Sequence, residues 1–365
     1  MSQVSKYYLP NLDGLRFLAA MLVILHHISP IAGYMGIDVV FNNDFTKVAG
    51  KLGVTLFFVL SGFLITKLLI KEKAETKKIH VFKFYIRRVL RIWPLYYLLA
   101  FLSLFVFPQL AFFQLNIPSA QSEFLKLFLY LGLLPNVALA LFIKVPFATV
   151  LWSVGVEEQF YAIWPWLVKK AKDIKMSIFL ILVFYILLRA AFEFMGDSSY
   201  LGIFEQIIDS FMLSSLAIGA LAAVYSTDIK AGITKLFNPY LQILTYGLVF
   251  FLIGTGARLG FFHYEIYALL FSVIILNLSM NKNSVLTLES FILKYLGRIS
   301  YGLYLWHSIA IFLSFKLIYQ GTNIQNEILA ICLSIALSII LSALSYELFE
   351  RQFLKIKAKY QIFSK

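Results

Sequence analysis

With a single cysteine, Cys332, in 365 residues, the chain has no intramolecular disulfide, and whatever holds its fold is non-covalent. Charge is scarce as well: 14% of residues are Asp, Glu, Lys or Arg, 61% are hydrophobic, and mean hydropathy is +0.82. A water-soluble domain of this length has no interior large enough for so much apolar surface, which leaves an integral membrane protein with many spans. Also missing are a phosphate-binding loop, an HExxH-type zinc spacing, a GxSxG elbow and a dinucleotide fingerprint, so no metal site is expected. No internal repeat or low-complexity linker marks a second domain. The first apolar stretch carries Asp13, Arg16 and His27 and lacks a small-residue cleavage site, which argues against a cleaved signal peptide.

What is present is a set of apolar stretches of spanning length. They run over 12–30, 47–70, 84–107, 151–168, 176–195, 204–226, 239–257, 262–280, 297–319 and 327–349. A further stretch at 122–143 is decided by charge. The net charge of +13 would elsewhere suggest nucleic acid, but here it marks loops on one side of a membrane, and no nucleic-acid partner is expected. With the N-terminus in the cytoplasm and 122–143 as a re-entrant or surface helix, about 25 Lys and Arg fall inside and about six outside. Counting 122–143 as a span would put Lys169, Lys170, Lys172 and Lys175 outside. The expected fold is therefore an all-α polytopic membrane bundle: about ten transmembrane helices plus a re-entrant or surface helix, both termini cytoplasmic. It forms a single domain over 1–365, ending in a short basic cytoplasmic tail, 352–365.

Ionisable residues inside such spans are costly and point to a bundle interior or a water-filled path. In LDGLRFLAAMLVILHH (12–27), Arg16 and His27 lie eleven residues apart. That spacing leaves them roughly 20° apart on one helical face and about 16 Å apart along the axis. Asp13 shares the stripe, whereas His26 points away by roughly 80°. The most basic stretch, KKIHVFKFYIRRVLRIWPLYYL (77–98), sets Lys83, Arg87 and Arg91 on one face with Arg88 beside them, and Pro94 can re-aim the helix. It serves either as an anchor to anionic lipid or as a site for a phosphorylated ligand. Arginine forks pair with phosphate, and Trp93, Tyr96 and Tyr97 offer rings for a flat base.

Ser61 and Gly62 sit mid-span in LGVTLFFVLSGFLI (52–65), where small residues permit close helix packing or the close approach of a ligand. Glu157 and Glu158 stand side by side in LWSVGVEEQFYAIWPW (151–166), pointing roughly 100° apart, so they form no carboxylate dyad. They suit acid/base work or the orientation of polar neighbours. RISYGLYLWHS (298–308) carries Tyr301, Tyr304 and His307, the tyrosines being either interfacial anchors or site residues. In YELFER (346–351), Glu347 and Arg351 have the spacing of a structural i,i+4 pair.

In this order along the chain, these stretches resemble the membrane acyltransferase-3 family. Arg16 and His27 match its arginine, ten residues, histidine hallmark. GVTLFFVLSGFLIT, FYIRRVLRIWPLYY, LWSVGVEEQFYAIWP and ISYGLYLWH resemble its later motifs, with WSV in place of WSL. The resemblance runs from about residue 10 to the last span. At its end, Gln352 stands where a proline commonly follows Glu-Arg.

The resemblance implies an O-acyltransferase, most often an O-acetyltransferase, that takes acetyl from cytoplasmic acetyl-CoA. The acceptor would be a hydroxyl of a surface polysaccharide, oligosaccharide or lipid-linked glycan precursor in a bacterial-type cytoplasmic (inner) membrane. Arg87, Arg88, Arg91 and Ser61 are expected at the donor. His27 is expected as general base, supported by Arg16, Glu157 and Glu158, and Asp13, Tyr301, Tyr304 and His307 are expected to line the substrate path. Some members carry an extracytoplasmic hydrolase-like domain. Here a form without it is expected, so that transfer finishes in the membrane unit or on a separate periplasmic or extracellular partner. Two alternatives stay open: a small lipophilic or antibiotic-type acceptor, and a transporter or flippase using the same buried charges as a path.

Overall fold

The computed structural model describes residues 8–115, 122–195, 199–227, 233–321 and 326–360. Lys230 and the end of the basic tail, 361–365, lie outside them. The described helices are α1 (Leu12–Tyr34), α2 (Asp44–Thr76), α3 (Val81–Phe101), α4 (Glu123–Leu131), α5 (Pro135–Ala140), α6 (Leu151–Lys170), α7 (Ile174–Met195) and α8 (Ser199–Phe211). They continue with α9 (Leu213–Tyr225), α10 (Pro239–Gly254), α11 (His263–Met280), α12 (Phe291–Arg298), α13 (Ser300–Gln320), α14 (Glu327–Ser345) and α15 (Arg351–Ala358).

Eight described helical segments are long and apolar enough to cross a membrane, starting with Leu12–Tyr34, Asp44–Thr76 and Val81–Gln109. The other two expected spans are α6, whose 20 residues include Glu157 and Glu158, and α10, an apolar helix of 16 residues. The stretch at 122–143 breaks into α4 and α5, of nine and six residues, with Leu133 between them in the left-handed region at φ 60°. At 1.5 Å per residue neither helix crosses a core of about 30 Å. The fold is an all-helical membrane bundle.

Local chemistry explains the starts and crossings of the central helices. Asn43 and Thr46 form a reciprocal capping box at the start of α2, each side chain accepting from the other's backbone N–H at 3.0 Å. At about 1.5 Å per residue, the 33 residues of α2 outrun the bilayer and carry its charged end beyond it. We call this the basic end; it is shared by the start of α3, by α12 and by α15. Inside the bundle α2 crosses α9 at near backbone contact. A Cβ on Gly62 would strike the Leu216 carbonyl, and one on Gly219 would strike that of Val59. Small residues let two membrane helices approach this closely. Along α14, Ser334, Ser338 and Ser342 are buried, and each donates to the carbonyl four residues back at 2.6–2.7 Å. The stripe is therefore small and satisfied within its own helix. Large apolar side chains such as Phe184, Phe250 and Ile328 are exposed on the outside, where lipid covers them.

Candidate active site

Helical phase brings the α1 residues to the interior. At the basic end Arg16 pairs with Asp13 one turn earlier, Nη1 to Oδ1 at 3.6 Å. Toward the far end, the Nδ1–H of His27 donates to the Val23 carbonyl of its own helix at 2.8 Å. That bond fixes the tautomer and leaves Nε2 as the bare, proton-accepting nitrogen. The ring lies 4.8 Å from His307, whose Nδ1–H donates to the Tyr304 carbonyl at 2.7 Å. His307 is fully buried, and its Nε2 has no partner. His26 also faces this region. Its Nδ1–H reaches the Thr46 carbonyl at 2.7 Å, and its ring stands edge-on to His27 at 4.8 Å. Its phase turns it off the Arg16–His27 stripe and toward the start of α2, yet it lines the same cavity as His27.

At the basic end Arg16, Arg87, Arg88, Arg91 and Lys357 line a cavity of about 190 Å³, with Asp13 and Glu72 as its acidic residues. Glu72 holds Arg87 at 3.6 Å and accepts from the backbone N–H of His80 at 2.6 Å. Arg87 also donates to the Tyr360 carbonyl at 3.1 Å, which ties α3 to the chain end. Arg88 lies 5.5 and 5.6 Å from the Phe84 and Tyr161 rings, and its Nε is buried without a partner. Ser61 lines this cavity too, and its hydroxyl meets that of Tyr161. Ser61 and Gly62 thus divide two tasks: the serine faces the cavity and the glycine faces α9.

Within the α3 motif, Lys83 is exposed and takes no part in the cavity. Pro94 sits inside α3, which runs from Val81 to Phe101. Trp93, Tyr96 and Tyr97 do not line the basic cavity and instead bind protein groups. Trp93 Nε1–H donates to Glu158 at 2.7 Å, Tyr96 to the Tyr130 carbonyl at 2.7 Å, and Tyr97 to the Leu131 carbonyl at 3.1 Å. Their polar tips fasten α4 and α6 to α3.

Between the two ends lies a cavity of about 90 Å³. It shares Arg16, Ser61, Arg88, Arg91 and Tyr161 with the basic cavity. Glu157 faces it and accepts from Tyr161 OH at 2.9 Å. Glu158 points to Trp93, with its second oxygen buried and unpartnered. The glutamates have separate neighbours, as their angular spacing requires, and with His27 Nδ1 committed to Val23, neither orients His27 through that nitrogen. Tyr301 and Tyr304 line this cavity and pin α13 in place. Tyr301 donates to the Ile92 carbonyl at 2.8 Å, and Tyr304 donates to that of Val150 at 3.1 Å and meets Ser153 at 2.6 Å. Neither is an interfacial anchor. Asp13 sits in the basic cavity with the arginines, away from Tyr304 and His307. Glu347 and Arg351 pair at 2.5 Å at the basic end.

The far cavity, of about 410 Å³, contains His26, His27 and Tyr304. Its opposite wall was missed by sequence reasoning. There Arg189 lies between Asp209 at 3.0 Å and the buried Glu265 at 2.5 Å, and Ser214 donates to Glu265 at 2.7 Å. The available signal was Arg189 and Glu265, charged residues within two largely apolar spans, 176–195 and 262–280. Among the described residues no cluster of His, Cys, Asp or Glu could hold a metal ion.

Fold and site together define a multi-pass helical membrane protein whose charged residues line three cavities with shared walls inside the bundle. The chain belongs to the acyltransferase-3 family: the Acyltransferase domain matches residues 9–347, nearly the whole chain. It is 28% identical over 373 residues to O-acetyltransferase OatA of Staphylococcus aureus (strain NCTC 8325), covering 95% of this chain and 57% of that protein. It is 31% identical over 173 residues to Peptidoglycan O-acetyltransferase OatA of Listeria monocytogenes serovar 1/2a, covering 45% of this chain and 25% of that protein. The chain thus spans little more than half the length of the Staphylococcus relative. No solved structure matches it.

Proposed function

We propose that this protein transfers acetyl from cytoplasmic acetyl-coenzyme A to a hydroxyl of a cell-envelope glycan or its lipid-linked precursor, across a bacterial cytoplasmic membrane. One observation carries the reading: three cavities with shared walls lead from the arginines to the histidines. Arg16, Ser61, Arg88, Arg91 and Tyr161 belong to the first two, and Val54 and Tyr304 to the last two. With the basic end in the cytoplasm, Arg87, Arg88 and Arg91 meet the phosphates of the donor, and the pantetheine arm extends through the central cavity. Arg16 and His27 stand about 16 Å apart along α1, a span the arm has to bridge. That separation makes Arg16 a partner of the donor arm and leaves the reacting carbonyl to the histidines.

At the far end His27 Nε2 takes the proton of the acceptor hydroxyl as its oxygen attacks the thioester carbonyl. The tetrahedral intermediate collapses, the C–S bond breaks, and the thiolate leaves with coenzyme A. His307 packs against His27 and steadies its ring. Tyr304, at the boundary of both cavities, marks where donor and acceptor meet. The names of the Staphylococcus and Listeria relatives support an acetyl group and a glycan acceptor.

The test supplies acetyl-labelled coenzyme A to inside-out vesicles containing the protein. Label fixed covalently on glycan, and lost in His27→Ala, is the expected result. Solute movement without acylation would make the passage a transport path and overturn the reading.

A further inference from the structure

The basic cavity has a second lobe. A space of about 510 Å³ shares Tyr8, Asp13, Arg91 and Lys357 with it and continues past α12 and α15 to Lys294 and Arg298. Four cations line this lobe, Arg91, Lys294, Arg298 and Lys357, against two carboxylates, Asp13 and Glu350. Lys294 is held by Glu289 at 2.7 Å, but among the described residues neither Arg91 nor Arg298 forms an ion pair. Tyr8 and Tyr301 stand in the wall with their hydroxyls already engaged, Tyr8 by Glu289 at 2.9 Å and Tyr301 by the Ile92 carbonyl at 2.8 Å. Their rings are held in place for a flat partner.

Two cationic lobes on either side of a shared wall fit a ligand with two separate anionic groups. Coenzyme A has them: a diphosphate, and a 3′-phosphate monoester on the ribose. A phosphate monoester carries about −1.5 to −2 charges near pH 7, and Arg298, which belongs to this lobe and not to the basic cavity, has no carboxylate paired with it among the described residues. Resting on the reading that the donor is a coenzyme A thioester, we propose that this lobe binds its 3′-phosphoadenosine end. Arg298 takes the 3′-phosphate, Tyr8 and Tyr301 flank the adenine, and Arg87 and Arg88 take the diphosphate across the shared wall. Arg298 is then a specificity residue that distinguishes a 3′-phosphorylated donor from one lacking that group. An anionic lipid headgroup offers the same phosphate chemistry. The lipid reading leaves unexplained why the lobe shares four residues with the donor cavity.

The full chain in phosphatidylcholine nanodiscs tests this by equilibrium binding of acetyl-CoA and acetyl-dephospho-CoA, which differ only in the 3′-phosphate. The protein should bind acetyl-CoA on the order of tenfold more tightly, the loss expected for one charge-assisted contact. Arg298→Ala should reduce acetyl-CoA to the affinity of the dephospho compound and leave the latter unchanged, which also shows that the variant is folded. Arg298→Lys should restore part of the difference. Equal affinities in the unaltered protein would overturn the proposal while leaving the donor reading intact. Binding of neither compound would overturn both. A loss of affinity for both compounds in Arg298→Ala, with phosphatidylglycerol competing for the site, would assign the lobe to lipid.

Discussion

The two ends of the passage treat charge differently. Five cations line the basic cavity against two carboxylates, Asp13 and Glu72. At the far end Lys51 and Arg189 are balanced by Asp209 and by Glu265 behind the wall, and Arg189 is spanned by both acids at 3.0 and 2.5 Å. An excess of cations beside an unpartnered Arg88 Nε suits a polyanion, which supplies further acceptors. A wall whose charges cancel suits a neutral, hydroxyl-rich molecule, because such a ligand brings no charge to neutralise. On the proposed reading, donor and acceptor classes are separated by electrostatics as well as by distance, and each end should fail in its own way when altered.

The largest effect is expected at the far end. If His27 is the base, His27→Ala should lower the turnover rate about 10²- to 10⁴-fold while donor affinity stays within about twofold, since the proposed site of the donor phosphates is at the other end. A rate within a few-fold of normal in folded protein would remove His27 from the chemistry. His26→Ala should cost less, because its Nδ1 bond to Thr46 holds the helix pair together and its ring only edges His27.

A smaller effect of the opposite kind is expected at the basic end. Arg88→Ala should raise KM for the donor on the order of tenfold, with kcat changed little, because the contact is made equally before and during the reaction. The change should shrink as salt rises, since a charge contact with phosphate is screened. If kcat fell while KM stayed put, Arg88 would belong with the reacting groups and the division between ends would break down.

What the sequence displayed and what it concealed divide along the same physical line. Relations within one helix follow from 100° per residue. The Arg16–His27 stripe, the divergence of Glu157 and Glu158, and the Glu347–Arg351 pair could all be read directly. Charge asymmetry between loops ordered the spans and demoted 122–143, which folds as the two short helices α4 and α5. Relations between helices have no period. Nothing in IRRVLRIWPLYY tells whether Trp93 meets a ligand or Glu158, because the answer depends on how α6 is rotated against α3. Arg189 and Glu265 lie 76 residues apart, so their pairing is visible only after folding. His26 was set aside by phase alone, although a histidine ring at the edge of a stripe still reaches the cavity that the stripe borders.

The smallest expected effect concerns how the basic end is held together at the start of α1. Glu289 accepts from Tyr8 at 2.9 Å, from the backbone N–H of Asn11 and from Lys294 at 2.7 Å. Burial alone would raise its carboxyl pKa, but the bonds from Lys294, Asn11 and Tyr8 outweigh burial and hold it below the usual carboxylate range. A folded pKa below the unfolded one stabilises the protein above the unfolded value, about 4.3 for glutamate. That stabilisation is lost as pH falls through the folded value. The site is partly open to solvent, so the contribution should be modest, on the order of 0.5–1 kcal/mol. Glu289→Gln should therefore lower the unfolding midpoint slightly at neutral pH and converge with the unaltered protein under acid conditions. The far end has no part in this cluster, so the Glu289→Gln difference should not extend to acceptor affinity. A constant gap between the two unfolding curves from neutral to acid pH would show that Glu289 acts through packing and that its charge contributes nothing.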